Sequence, residues 1–292
     1  MIARAQLAAI AAKHGLPAPA STPEPWTGAT SRVYPLGDVV LKVAFDRPDA
    51  VAAVAIDAAM ATFARSLGVA VPDLVALDDS REIVPVPVAI FRRVKGAIPL
   101  DPARRDDAAR AAWDAVGRLL ARVHAVTDRD AVPIALREFR QSPEVDPRPW
   151  VDELREAGAL SLVDARWLRS LLDRIAPEAL AEVPIALCHG DVNAANVLVD
   201  VQTGEFRALI DWAGAGWLDP AWDFAGVPLD VVPWLLAGHR QVAALPADGT
   251  AESRILWCQI QMRLFAARSD APIQVDVTPI RRYATLRGWE SP

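Results

Sequence analysis

Three oxygen-bearing side chains stand at the ends of apolar runs. Asp191 and Asn196 lie in "LCHGDVNAANVLVD", and Asp211 lies in "ALIDWAGAGWLDPAWDFA". Oxygen donors converging at strand ends suit a hard divalent cation, and such a cation suits phosphate. Phosphoryl transfer needs a group that accepts or orients the proton of the attacking hydroxyl, oxygen ligands for magnesium, a cation on the nucleotide phosphates, and a loop to cover them. Asp191 suits the first task. Asn196 and Asp211 suit magnesium, which takes one or two protein oxygens and completes its shell with phosphate and water. A hairpin between them would lay these two residues, fifteen apart in the chain, side by side.

Lys42, inside the apolar strand "VVLKVAF", is the candidate cation. Only three of the 31 Lys and Arg residues are lysines, the others being Lys13 and Lys95. A lysine chosen here is therefore a specific choice of a compact point charge. A strand-edge lysine facing water is the plainer alternative. Upstream, "TGATSR" offers Gly28, Thr30 and Ser31 as a turn with backbone N–H and hydroxyl donors. It holds one glycine, and no GxxxxGK motif occurs in the chain.

Composition limits the alternatives. The 292 residues are 52% hydrophobic and 23% charged, an ordinary globular balance with room for two domains. A net charge of −6 argues against nucleic acid as the partner. Cys188 and Cys258 form no CxxC and no Cys/His cluster, so neither a disulfide framework nor structural zinc is expected. Cys188 beside the motif raises the question of a reactive thiol; a small buried residue ending a strand is the simpler account. The N-terminus has small residues like a signal peptide, but Gln6 and Lys13 interrupt the apolar stretch, and Ile2, Leu7 and Ile10 suit one helix face. No run is long enough for a membrane span, so the chain reads as cytoplasmic.

The elements that would position these residues follow from periodicity. A first helix ends at His14-Gly15. Strands are expected near Arg32–Tyr34 and Val39–Ala44 with a turn at Gly37-Asp38, then a helix over Ala50–Leu67. "VAVPDLVAL" and "EIVPVPVAIFRRV" read as further strands, the second weakened by Pro85 and Pro87. From Asp106 to Val126 the spacing of Ala109, Trp113, Val116, Leu120 and Val123 predicts an amphipathic helix. Helices are also expected at Arg148–Ala157 and Leu162–Ile175. A strand runs into His189, strands at Val197–Asp200 and Phe206–Ile210 flank a turn at Thr203-Gly204, and the rest to about Arg268 reads as helical apart from a loop near Pro246–Gly249. The organisation is a small strand-rich lobe to about residue 92 and a larger, mostly helical lobe, with a ligand cleft expected between them.

Taken in order, the motifs over residues 26–226 resemble the aminoglycoside phosphotransferase family, the small-molecule branch of the protein-kinase-like fold. "TGATSRVYPLGDVVLKV" is similar to the family's nucleotide loop and lysine strand, and "VAIFRRVKG" to its inter-lobe hinge. "VGRLLARVHAV" is similar to its leucine-rich helix, "HGDVNAANVLVD" to its catalytic loop, and "LIDWAGAGWLDPAWDFA" to its metal-binding segment. The resemblance implies a bilobal α+β fold, with residues 1–95 as the nucleotide lobe, a hinge at about 91–95, and 96–292 as the catalytic and substrate lobe. It implies Asp191 as the catalytic aspartate, Asn196 and Asp211 as magnesium ligands, and Lys42 on the α- and β-phosphates. The hinge backbone at Phe91, Arg92, Arg93 and Val94 would hold the purine, and His189 would be structural. Asp219 and Asp223 have two readings, a brace for the catalytic loop or a lining of the acceptor side.

The family usually orients its lysine with a glutamate on the following helix, whereas here the matching position is Asp57. One methylene is missing, so either the helix sits closer or the ion pair is loose. The function implied is transfer of the γ-phosphate of ATP or GTP, with Mg2+, to a hydroxyl of a small molecule, with an aminoglycoside or related antibiotic as the first candidate. A macrolide, sugar or amino alcohol acceptor is the alternative, and a catalytically inactive nucleotide-binding module is the alternative of another class. Protein kinase activity is disfavoured, because seven residues between Asp211 and Asp219 are too few for an activation segment. Glu144, Asp146, Asp152, Glu153 and Glu156 form an acidic stretch that could receive a polycation or simply be a solvated helix face. Most of the ten tryptophans are expected in the core, and His14, His124 and His239 have no partner pattern.

Overall fold

The computed structural model describes residues 2–137, 146–268 and 273–289. Alternating apolar residues build the first lobe. Strands β1 (Trp26–Thr27), β2 (Ser31–Leu36), β3 (Val39–Ala44), β4 (Leu74–Asp78) and β5 (Val88–Arg92) form an antiparallel sheet in the order β1-β2-β3-β5-β4. Pro85 and Pro87 confine β5 to the residues after them, and Pro87 contributes only its carbonyl, which accepts from Ala44 N. Helix α1 (Arg4–Lys13) buries Leu7, Ile10 and Ala11 against the sheet. Its end is clipped to β4, with Lys13 and His14 both on Asp78.

Helix α2 (Pro48–Ser66) belongs to two cores. Val54, Ala58 and Ala61 pack with the sheet, while Ile56, Met60 and Ala64 join the core of the larger lobe. Five of its buried positions are alanine: Ala50, Ala53, Ala58, Ala61 and Ala64. A helix edged with methyl groups approaches its neighbours more closely than one edged with leucine.

The larger lobe begins with β6 (Ala97–Pro99) and α3 (Asp107–His124). Asp106 caps α3 by accepting from Ala109 N at 2.9 Å, and the helix buries Ala109, Trp113, Val116, Leu120 and Val123. Next come α4 (Ile134–Arg137), α5 (Arg148–Glu156), α6 (Leu162–Ala179), β7 (Ala186–Cys188), β8 (Val197–Asp200), β9 (Phe206–Leu209) and β10 (Gly216–Leu218). Helices α7 (Val232–Arg240), α8 (Ala251–Ala267) and α9 (Thr278–Leu286) complete the described chain. Strands β6, β8 and β9 form one small sheet, and β7 pairs with β10. Helices α3 and α7 cross backbone to backbone: a Cβ on Gly117 would lie 2.0 Å from Leu235 O, and one on Gly238 would lie 2.1 Å from Asp114 O.

Periodicity located the long elements but not β1, β6 or β10, whose two or three residues are too short to show any. The stretch expected to be helical to Arg268 is instead irregular from 225 to 231, and it opens with β10 and single helical turns. No helix among the described residues is long and apolar enough to cross a membrane.

Candidate active site

The β8–β9 hairpin sets the centre of the site. Val197 pairs with Leu209, so Asn196 leaves the hairpin opposite Ile210, whose N–H donates to Asn196 O at 2.9 Å. Asp211 follows immediately, beside Asn196. Its backbone takes the left-handed conformation, φ +63° and ψ +63°, which a non-glycine residue adopts at some cost and aspartate tolerates better than most. That turn aims its carboxylate at the first lobe, where Lys42 Nζ donates to Asp211 Oδ1 at 2.7 Å.

Lys42 also donates to Asp57 Oδ2 at 2.6 Å. Both partners are buried, at 7% and 4% exposure, so the pair is tight rather than loose. Helix α2, edged with alanine, thus brings Asp57 within hydrogen-bond reach of Lys42 although its side chain is one methylene shorter than glutamate. Asp57 Oδ1 meanwhile accepts from Trp212 N at 2.8 Å, which ties α2 to the segment after Asp211. Burial acts to lower the Lys42 pKa, but the Asp57 and Asp211 carboxylates outweigh it, and the ammonium is held above its ordinary value.

The catalytic-loop candidate leaves β7 at Cys188. Gly190 has φ +81°, and a Cβ there would lie 2.0 Å from Gly214 O, so only glycine lets the two segments pass. His189 Nε2 donates to Ile210 O at 3.1 Å, leaving Nδ1 to accept from Asp191 N at 3.2 Å. The Asp191 carboxylate opens to the cleft and accepts from Asn193 Nδ2 at 3.0 Å and Asn196 Nδ2 at 3.1 Å. Desolvation by the surrounding protein raises its pKa above the ordinary carboxylate value. The nearby Asp211 charge adds to this, while His189 and the two asparagines oppose it. Because both contacts fix the Asn196 amide nitrogen on Asp191, its Oδ1 is the end left over. Asn196 Oδ1 and the half-exposed Asp211 carboxylate thus form an oxygen-only donor pair, which fits a hard cation such as magnesium.

Behind the loop stand residues to which sequence reasoning gave no definite role. Asp223, fully buried, accepts from His189 N at 2.9 Å and Gly190 N at 2.7 Å, and His124 Nε2 lies 2.9 Å from its Oδ2. Asp223 is therefore a brace. Burial acts to raise its pKa, but the His124 hydrogen bond and charge prevail and lower it. Asp219 pairs with the buried Arg254 and accepts from Ala221 N. Trp222 Nε1 donates to Gly190 O at 3.3 Å, and Trp212 and Trp217 are core. Cys188 is fully buried and its thiol is pushed well above the ordinary range, so it is no reactive thiol. It does lie with His124 and Asp223, all within 4.8 Å. That is a Cys/His/Asp group that only the fold assembles.

The remaining expected residues lie at the cleft's edge. Gly28 N donates to Ser31 O and Phe45 N to Thr30 O, each at 2.9 Å, while Arg47 holds Ala29 O. A Cβ on Gly28 would meet Ser31 O at an ordinary 3.7 Å, so the turn itself does not demand glycine. At the hinge, Phe91 is buried, Arg92 N donates to Asp73 O, and Arg93 N donates to Asp38 O. Among the described residues none accepts from Val94 N. The acidic stretch is engaged internally. Asp146 pairs with Arg148, Asp152 with Arg169, Glu153 with Arg268 and Glu156 with Arg155; Glu144 lies outside the described residues.

Comparison with known proteins gives the family and the fold. The model of the phosphotransferase enzyme family matches residues 21–245. Among curated proteins none matches the sequence. A choline/ethanolamine kinase family protein from Mesorhizobium loti superposes with a TM-score of 0.60 at 22% identity, covering 99% of this chain and 94% of that one. Macrolide 2'-phosphotransferase MphH from Brachybacterium faecium gives 0.62 at 22% identity, covering 98% and 99%. The GDP complex of wild-type aminoglycoside 2'-phosphotransferase-IIIa gives 0.62 at 15% identity, covering 95% and 97%. The fold is that of the kinase-like phosphotransferases.

Proposed function

Because the chain belongs to the phosphotransferase enzyme family, we propose that it moves the γ-phosphate of ATP or GTP onto a hydroxyl of a small molecule, with Asp191 at the reacting centre. One observation carries this reading: Lys42 reaches Asp211 at 2.7 Å across 169 residues of sequence, while Asn196 holds Asp191 at 3.1 Å. Residues 1–95 supply the nucleotide side and residues 96–292 the catalytic and acceptor side.

Each group has a task. Asp191 accepts or orients the proton of the attacking hydroxyl, and its raised pKa brings it nearer the working range of a base. Asn196 and Asp211 would hold Mg2+, which when bound neutralises charge on the phosphate oxygens. Lys42, anchored by Asp57, faces the α- and β-phosphates. The Gly28–Ser31 turn would cover the phosphates with the Thr30 hydroxyl as a donor, whereas Ser31, expected as a second donor, is buried at 3% exposure; the Val94 N–H would be the hinge donor for the purine edge. Phe91, Arg92 and Arg93 shape the hinge, the last two with their amides already engaged. One structural relative was solved with GDP, which keeps GTP beside ATP as donor.

The acceptor is a small hydroxyl compound that is not a polycation, of macrolide, sugar or amino alcohol type. Four residues of the acidic stretch pair with arginines, so among the described residues that stretch offers a polycationic aminoglycoside no unpaired carboxylate. Purified protein with ATP or GTP, magnesium and a mixed acceptor library, read by mass spectrometry, tests this reading. A phosphate-sized mass gain on one acceptor is expected. Asp191→Asn is expected to reduce the rate by at least about 100-fold with nucleotide binding retained. Full activity in that variant would remove Asp191 from the reaction. An aminoglycoside as the phosphorylated compound would overturn the acceptor class alone.

A further inference from the structure

His239, at the end of α7, touches no group that the proposed reaction uses, yet it is 1% exposed and fully bonded. Its Nδ1 donates to Ala243 O at 2.8 Å, and its Nε2 lies 3.0 Å from His124 Nδ1. His124 Nε2 in turn lies 2.9 Å from Asp223 Oδ2. The close α3–α7 crossing at Gly117 and Gly238 brings the two rings together, with centroids 5.1 Å apart.

The protons in this chain can be counted. A carbonyl only accepts, so His239 Nδ1 carries a proton. Burial, with the neighbouring His124, lowers the His239 pKa to about 4, so at neutral pH its Nε2 is bare and can only accept. His124 Nδ1 must then carry the second proton. The third lies between His124 Nε2 and Asp223 Oδ2, because two bare lone pairs at 2.9 Å would repel. With His239 neutral, the three hydrogen bonds take their three protons in this one arrangement.

We propose that His239 is a positioning residue for phosphoryl transfer: its bare Nε2 fixes the proton on His124 Nδ1, and thereby the hydrogen-bonded His124–Asp223 pair whose carboxylate holds the His189 and Gly190 amides of the catalytic loop. The positioning role rests on the reading of Asp191 given above, whereas the proton arrangement does not. Of the ionisable groups around this chain, His189 from the loop after β7 acts on Asp223, Asp248 acts on His239, and Asp223 in turn acts on the neighbouring Cys188 thiol, as do Asp219 and Cys258.

Ring-15N histidine NMR of the full chain at neutral pH tests the arrangement directly. A proton is expected on His124 Nδ1 and on His239 Nδ1, with none on His239 Nε2. A bare His124 Nδ1 would overturn the proposal. The second arm follows phosphate release from ATP-Mg. His239→Leu is expected to lower kcat about tenfold, the equivalent of one buried hydrogen bond, with KM for ATP changed less than about twofold. His239→Gln, which restores an acceptor near the Nε2 position, is expected to recover most of the loss. A His239→Leu variant with wild-type kcat would also overturn the proposal. If His239→Leu does not fold, or the wild-type protein releases no phosphate, the NMR result decides; the latter failure counts against the Asp191 reading instead.

Discussion

Replacing Asp57 tests whether a short carboxylate on a close helix holds the two halves of the site together. Its two oxygens are both engaged, one on Lys42 at 2.6 Å and one on Trp212 N at 2.8 Å, and the residue is 4% exposed. Asp57→Ala therefore strands a buried ammonium and a buried backbone N–H together. Breaking a buried ion pair costs about 3–5 kcal/mol, and an unbonded buried N–H about 1–3 kcal/mol. The losses are not additive, and Lys42 keeps Asp211, whose side chain is 43% exposed and water-screened. A net loss of about 3–4 kcal/mol results, which at about 2–4 °C per kcal/mol lowers the midpoint by about 6–16 °C. Asp57→Asn keeps an acceptor for Trp212 N but sets an amide against the ammonium, so its loss falls between wild type and Asp57→Ala. Urea unfolding of the nucleotide-free protein measures these values. A double-mutant cycle with Lys42→Met isolates the pair and should give a coupling of about 2 kcal/mol. A loss under about 0.5 kcal/mol in Asp57→Ala, with no coupling to Lys42, would show that the pair behaves as a surface ion pair and that the close helix is not what holds it.

Three other perturbations follow from geometry already described. Gly117→Ala should destabilise the chain by about 2–3 kcal/mol, since its Cβ would press on Leu235 O; thermal unfolding checks this, and an unchanged midpoint would mean that α3 and α7 separate freely. Arg254→Ala leaves Asp219 without its buried partner and should cost about 3–5 kcal/mol in urea unfolding. The rate of phosphoryl transfer should fall as pH drops through the Asp191 pKa, because the reaction uses the carboxylate. Since that pKa is raised in the nucleotide-free protein, the acid limb of kcat/KM should sit above the ordinary aspartate value of about 4, and a limb at or below it would contradict the raised pKa.

The sequence carried the site better than it carried its supports. Lys42, Asp191, Asn196 and Asp211 were legible because each is a polar residue set against an apolar run, and the β8–β9 register then fixes which neighbours meet. Helices α3 and α6 were legible through their spacing. His124 and His239 were not, because their partnership depends on two glycines allowing two helices to cross, and Gly117 and Gly238 carry no periodic signal. Asp223 was visible as a residue but not as a brace, since its partners are backbone amides that have no letter in the sequence. The acidic stretch misled in the opposite way: it reads as free charge until the arginines from α6 and the end of α8 are seen beside it.

The alanine-edged α2 bears on how relatives of this chain would be sorted. An alanine edge lets a helix come close to its neighbours, so the length of the acid and the width of the residues beside it belong together. A pattern that demands glutamate at position 57 would file such a chain among the inactive ones, although its lysine is held at 2.6 Å. Conversely, grafting glutamate into this helix without also enlarging Ala53, Ala58 or Ala61 would overfill the gap. The informative signature is therefore the pair of features, the acid together with the alanines that flank it, and neither letter alone.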